Sequence, residues 1–265
     1  MLTPFKIDNR IDAYLGIPEG IGKRPVIIHM HERYGIVRHT TDLAEKYVKA
    51  GYVTIVPDYF SRFTGDRAKL AQGNDRCELD DQQVLLDTDA VINHLKTLPQ
   101  VDMNKIAMSG VCQTGRQPIL VSAKRDYLVA AVVLYGAVYD ADWKSHPMRP
   151  QSIEQLMQEM TCPLTAVFGE LDNLIHLDNI VRMASVLAAA KKSFGIRVYP
   201  DAPHGFLNDT MPGRYRQLQS NAAWNQIISF LRSVFAGEWK KDRVIWRFEA
   251  DSAIDYDFNT MKRWE

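Results

Sequence analysis

Short runs of apolar residues alternate along this chain with longer stretches in which apolar positions recur every three or four residues. The runs at 26–29, 52–56, 106–109, 130–135, 164–168 and 195–199 have the composition of strands buried on both faces. Between them, 41–50 places Leu43, Tyr47 and Val48 on one side of a helix that stops at Gly51. A long amphipathic helix over 80–98 ends before Pro99, and 180–190 and 217–235 add two more. Strand and helix alternating over this length predict an α/β fold whose mostly parallel sheet is covered on both faces. Ligands of such sheets bind outside the carboxyl ends of the strands. Chemistry is therefore sought in the residues that follow each run. The segment 61–80 is polar and charged between two well-defined elements, which makes it a candidate lid over that edge.

Composition narrows the function classes. A chain of 265 residues suits one large α/β domain. Lysine plus arginine (32) equals aspartate plus glutamate (32), so nothing in the balance calls for nucleic acid or an anionic membrane. No apolar run approaches the roughly 20 residues that cross a bilayer, and Met1 to Asp8 lacks a charged-then-apolar leader pattern. The expectation is a cytoplasmic protein. Cys77, Cys112 and Cys162 are too few and too scattered for a disulfide framework or a zinc knuckle, and are read as thiols.

One cysteine stands apart. The run 106–109 leads into Gly110-Val111-Cys112-Gln113-Thr114-Gly115 and then a helical stretch from Arg116 to Lys124. A nucleophile elbow has this layout: the nucleophile sits on a strained turn between strand and helix, small neighbours relieve crowding, and the helix N-terminus offers backbone N–H groups. The same setting favours a thiolate. A buried structural cysteine would satisfy the hexapeptide equally well. The later runs tip the balance. Gly169-Glu170-Leu171-Asp172-Asn173 follows 164–168, and Pro200-Asp201-Ala202-Pro203-His204-Gly205-Phe206 follows 195–199. Singly, Asp172 is more often a turn former and His204 a surface residue. Nucleophile, acid and histidine after successive strand ends, in that order, is the order of α/β-hydrolases.

His31-Glu32-Arg33-Tyr34-Gly35 after the first buried run, Gly51-Tyr52 leading into Val56-Pro57-Asp58-Tyr59, and His204-Gly205-Phe206 complete a set that resembles the dienelactone hydrolase family over roughly 26–235. The resemblance implies an α/β-hydrolase fold over residues 1–236 and hydrolysis of a small-molecule ester or lactone without a cofactor. It implies that Cys112 attacks the carbonyl carbon, His204 is the base, Asp172 orients His204, and Glu32 assists the thiol. The backbone N–H groups of Arg33 and Gln113 would form the oxyanion hole. Tyr34, Tyr135, Phe206 and Arg76 are candidate pocket residues.

Two departures stand out. Thr114 occupies a position where the family usually has glycine. Asn208 lies where the family carries an arginine for the substrate carboxylate, leaving Arg62, Arg67, Arg76 and Arg214 as candidates for that task. Competing readings are a general carboxylesterase or promiscuous thiol hydrolase, a metal site built on the alternating His29 and His31, and a catalytically inactive hydrolase-fold binding protein. No Gly-x-Ser-x-Gly motif, phosphate-cradling loop or dinucleotide fingerprint occurs.

Residues 237–265 form a C-terminal extension containing Trp239, Trp246, Phe248, Tyr256, Phe258 and Trp264. A disordered tail is poor in aromatics, so this one is expected to pack, either on its own subunit or across a twofold homodimer. The composition of 243–248 is that of a strand.

Overall fold

The buried runs become the parallel centre of the sheet in the computed structural model, which describes residues 1–240 and 242–253. The strands are β1 (Thr3–Ile7), β2 (Ile11–Gly16), β3 (Arg24–His29), β4 (Val53–Pro57), β5 (Val101–Val111), β6 (Ala130–Leu134), β7 (Leu164–Leu171), β8 (Phe194–Pro203) and β9 (Trp246–Ala250). They lie in the order β1-β2-β4-β3-β5-β6-β7-β8-β9. From β4 to β9 every pairing is parallel, while β1–β2 and β2–β4 are antiparallel.

Pleat alternation divides the core in two. Val26, Ile28, Ile106, Met108, Ala131, Val133, Ala166 and Phe168 face one side. There they meet α3 (Asp81–Leu95), α4 (Gln117–Lys124), α5 (Ile153–Glu159) and α6 (Leu177–Ala189). Ile27, Ala107, Val132 and Val167 face the other side, against Leu43 and Tyr47 of α1 (Arg38–Lys49) and Ala223, Ile227 and Leu231 of α7 (Gln217–Phe235). Each fully buried Ile, Val or Phe contributes about 1.5–3 kcal/mol through area burial.

The order β4-β3-β5 creates the functional edge. The chain leaves β3 on one side to build β4, then passes back to build β5 on the other. A crevice opens at the carboxyl ends of strands where the winding reverses, and the residues there are those after His29 and after Val111.

Three features lie outside the apolar-run reading. The β1–β2 hairpin turns at Asp8 and Asn9, both with positive φ (51° and 54°), a conformation their short polar side chains tolerate. Helix α5 is started by Ser152 and Gln155, which cap each other's backbone N–H groups. The segment 61–80 contains a short helix, α2 (Arg67–Ala71), capped by the Asp66 carboxylate, and then runs as a strap toward α3.

In the C-terminal extension, β9 adds parallel to β8, with Phe194 opposite Trp246 and Val198 opposite Ala250. Trp239 packs edge-on against Phe230 of α7, with ring centroids 5.0 Å apart. Trp246 and Phe248 remain largely exposed. Tyr256, Phe258 and Trp264 lie outside the described residues.

Candidate active site

β5 runs straight into Cys112, whose φ of 54° is left-handed. A non-glycine residue pays for that conformation, and it persists only where its surroundings over-determine it. Crowding on three sides does so here. A Cβ on Gly110 would lie 2.2 Å from the Thr114 carbonyl oxygen; one on Gly115 would lie 2.6 Å from Gly136 Cα, and one on Gly136 2.3 Å from the Cys112 carbonyl oxygen. The turn Cys112–Arg116 is a single 3₁₀ stretch that feeds α4. Thr114 fits because its position needs no positive φ. Its buried hydroxyl accepts from Val111 N–H and donates to the His31 carbonyl, both at 2.9 Å. It therefore ties the β3 exit to the β5 exit and adds no hydroxyl to the site.

The acid and the histidine arrive together because β7 and β8 pair up to Leu171 opposite Pro203. The next residue on each strand is Asp172 and His204. Gly169 allows this closeness, since a Cβ there would stand 2.0 Å from the Ala202 carbonyl oxygen. Asp172 Oδ2 lies 2.8 Å from His204 Nδ1, and His204 Nε2 lies 3.1 Å from Cys112 Sγ. The other carboxylate oxygen, Oδ1, accepts from the N–H groups of Leu174 and Ile175. Asp172 is fully buried and His204 nearly so. An acceptor at Nδ1 fixes that ring proton and aims the second nitrogen at the sulfur. Burial, the largest influence on the ring, acts to lower its pKa. The Asp172 carboxylate and then Cys112 outweigh burial and hold His204 well above the ordinary histidine range.

The β3 exit supplies the third wall. His31 Nδ1 donates to the Glu32 carbonyl at 2.8 Å, and its Nε2 accepts from Tyr59 N–H at 3.1 Å, so the ring is neutral and pins the loop. Gly35 N–H closes a turn onto the Glu32 carbonyl. The Arg33 amide stands at the turn's first central position, where an N–H points outward. Glu32 is buried with no hydrogen-bond partner on Oε2. Burial pushes its carboxyl up to about 7, against the opposing pull of His204 and Arg214.

The model of the dienelactone hydrolase family matches residues 11–235. The chain belongs to the dienelactone hydrolase family. Among its relatives, a protein of Escherichia coli K12 named "putative carboxymethylenebutenolidase" is 28% identical over 235 residues, 86% of this chain and 84% of that one. A Bradyrhizobium protein named "probable 2-oxo-3-(5-oxofuran-2-ylidene)propanoate lactonase" is 26% identical over 234 residues, 85% of this chain and 90% of that one. A crystal structure described as a "putative dienelactone hydrolase" from Klebsiella pneumoniae shares the fold with a TM-score of 0.78, at 24% identity, over 88% of this chain and 98% of that one. The chain is a dienelactone hydrolase-like ester or lactone hydrolase.

In this family member a cavity of about 270 Å³ opens onto Cys112 and Gln113. Arg33, Tyr139, Leu174 and the strap residues Arg76, Glu78 and Leu79 line it. The strap is tied down where Gln113 Nε2 donates to the Cys77 carbonyl (2.8 Å) and Arg33 Nη2 to the Gly73 carbonyl (3.0 Å). Of the arginine candidates, Arg62 is committed to Asp87 and Arg67 to Asp58. Arg76 reaches the cavity paired with Glu78, and Arg214 packs on Gly205.

Two pocket expectations need correction. Tyr135 and Phe206 are fully buried rather than on the cavity wall. The left-handed φ of Tyr135 (36°) folds its ring under His204, centroids 5.2 Å apart, and Phe206 packs at tilted angles between Tyr135 and Tyr199. Tyr34 packs beside Gly73 of the strap. His29 lies against Tyr47 while His31 lies against Phe60, so the two rings serve different neighbours. Among the described residues no group of three or more His, Cys, Asp or Glu is placed to hold a metal. Sequence reasoning missed Tyr139 and Leu174. Both stand a few residues past strand ends, which was the available signal.

Proposed function

We propose that this hydrolase works through a Cys112–His204–Asp172 triad and an acyl-enzyme thioester. The observation that carries the reading is the buried relay, with 3.1 Å from Sγ to Nε2 and 2.8 Å from Nδ1 to the carboxylate, ending on a left-handed nucleophile at a cavity. Sγ, as a thiolate whose proton His204 already holds, adds to the carbonyl carbon. The C–O bond breaks, and the leaving oxygen takes that proton back. Water then attacks the thioester, giving its proton to His204, and the C–S bond breaks to release the acid. Charge develops on the carbonyl oxygen in both steps. The amides of Arg33 and Gln113 are the donors for it, each worth about 3–4 kcal/mol in comparable sites. Gln113 is the second residue of its turn, where an N–H has no intrahelical acceptor.

The cavity's charges favour a substrate that carries an anionic group. Arg76, Arg116 and Arg149 are matched by Glu78, Asp81 and Asp142. Arg33 has no carboxylate partner among the described residues: its Nη2 donates to the Gly73 carbonyl, and its Nε is buried without a hydrogen bond. The test is Cys112→Ala, assayed against dienelactone and simple aryl esters. Hydrolysis should vanish while the fold persists, and mass spectrometry should find a substrate-derived acyl group on Cys112 in the parent chain. Near-parental turnover by Cys112→Ala would reject the mechanism.

A further inference from the structure

The chain after β6 is bent by two non-glycine left-handed residues, Tyr135 at 36° and Ala137 at 76°. Such conformations are disfavoured for L side chains and are held only by their surroundings. The holding contact is Gly136, pressed against the Cys112 carbonyl oxygen and Gly115. The bend carries the backbone across the nucleophile turn and delivers Tyr139 to the cavity wall. Tyr139 N–H donates to Asp142 Oδ2 at 3.2 Å, Asp142 N–H donates to the Tyr139 carbonyl at 2.8 Å, and Arg149 holds Asp142 Oδ1 at 3.1 Å. The phenol oxygen ends 3.5 Å from Cys112 Sγ, on the cavity side, and 3.5 Å from the Tyr135 carbonyl oxygen.

One phenolic proton faces two acceptors. Hydrogen bonds to an ionised acceptor are roughly twice as strong as neutral ones, so a charged sulfur draws the phenol's hydrogen bond and an uncharged one yields it to the Tyr135 carbonyl. We propose that Tyr139 is a further catalytic residue, whose hydroxyl donates a hydrogen bond to the Cys112 thiolate and so raises the fraction of enzyme ready to attack. This rests on Cys112 being the nucleophile. As the C–S bond forms, the sulfur's negative charge moves to the carbonyl oxygen, and the Tyr139 hydroxyl turns back to the Tyr135 carbonyl. The proton never leaves the phenol. Burial, and then the negative charge of Cys112, push the phenol well above its ordinary range, so it remains a donor.

Other charged groups face this pair from several elements. The β3, β7 and β8 exits supply Glu32, Arg33, Asp172 and His204. The far wall and strap supply Arg116 and the pairs Asp142–Arg149 and Arg76–Glu78. None of them changes in Tyr139→Phe, which keeps the ring and removes only the hydroxyl.

The experiment is the pH dependence of Cys112 alkylation by iodoacetamide in the full-length chain, read at that residue by mass spectrometry from pH 3 to pH 10, with kcat/KM measured alongside. Tyr139→Phe is expected to move the alkylation midpoint up by about one pH unit, a tenfold loss of thiolate below the midpoint. The loss of kcat/KM should be recovered at high pH. An unmoved midpoint overturns the proposal whatever happens to turnover, because a structural or substrate-contact role would lower activity without touching the sulfur's titration. Cys112→Ala separates the two assignments. If that variant is active, the nucleophile falls and Tyr139 with it. If it is inactive and the Tyr139→Phe midpoint is unmoved, only the Tyr139 proposal falls.

Discussion

Glu32 combines deep burial with a carboxyl oxygen that has no partner. Its folded-state value of about 7 lies above the ordinary carboxylate value of 4.5 because burial disfavours the charged form. Folding therefore favours the protonated acid. The stability this contributes is present below pH 4.5 and is lost as pH rises through about 7. Glu32→Gln has no such titration. Relative to the parent it should gain on the order of 1–3 kcal/mol between those limits, as read from urea unfolding at pH 5 and pH 8. If Glu32 also helps generate the thiolate, the same variant should alkylate more slowly and turn over on the order of a hundredfold less. Alkylation unchanged across pH would leave Glu32 a purely structural role.

Strand exits, rather than whole strands, hold this site together. Thr114 joins the β3 exit to the β5 exit through one buried hydroxyl, accepting from Val111 and donating to His31. Thr114→Val keeps the shape and removes both bonds, leaving a buried N–H and carbonyl unmatched. That should cost about 1–3 kcal/mol in unfolding free energy. It should also lower kcat more than it raises KM, because the loosened β3 loop carries Glu32 and the Arg33 amide. Parental stability in this variant would mean that the two exits are held by packing alone.

At the scale of the whole molecule, the C-terminal extension closes the sheet beyond β8, the strand that leads to His204. The Glu170 carboxylate accepts from Asp201 N–H at 3.0 Å and from Ala253 N–H at 2.6 Å, so the extension is also tied two residues before Asp172. Deletion after Gly237 should uncover the β8 edge, lower the melting temperature and reduce kcat. Light scattering of both chains should give the same number of subunits. A drop from two subunits to one on deletion would instead place the extension between two copies. An unchanged melting temperature would remove its packing role on its own subunit.

The sequence by itself determined the sheet's buried centre and the order of the candidate triad residues, because both are local. Short runs rich in Val and Ile, bounded by turn residues and alternating with amphipathic stretches, read as buried strands, and Cys112, Asp172 and His204 each immediately follow a strand end. The carboxyl-end rule then sends all three to one edge. Helix α5 and the Asp8–Asn9 turn had local signals too, a capping box and two short polar residues. Tertiary structure alone decided which side chains line the cavity. Nothing in the identity of Tyr135 asks for a left-handed φ; the press of Gly136 on Cys112 imposes it, burying Tyr135 and turning Tyr139 to the sulfur. The arginines divide in the same way. Arg62 and Arg67 are taken by Asp87 and Asp58 across distances in the chain that no motif records, while Arg33 reaches the cavity with its charge unmatched among the described residues. Pairing through space depends on where the strap crosses the sheet edge, and that crossing exists only once the strands have assembled.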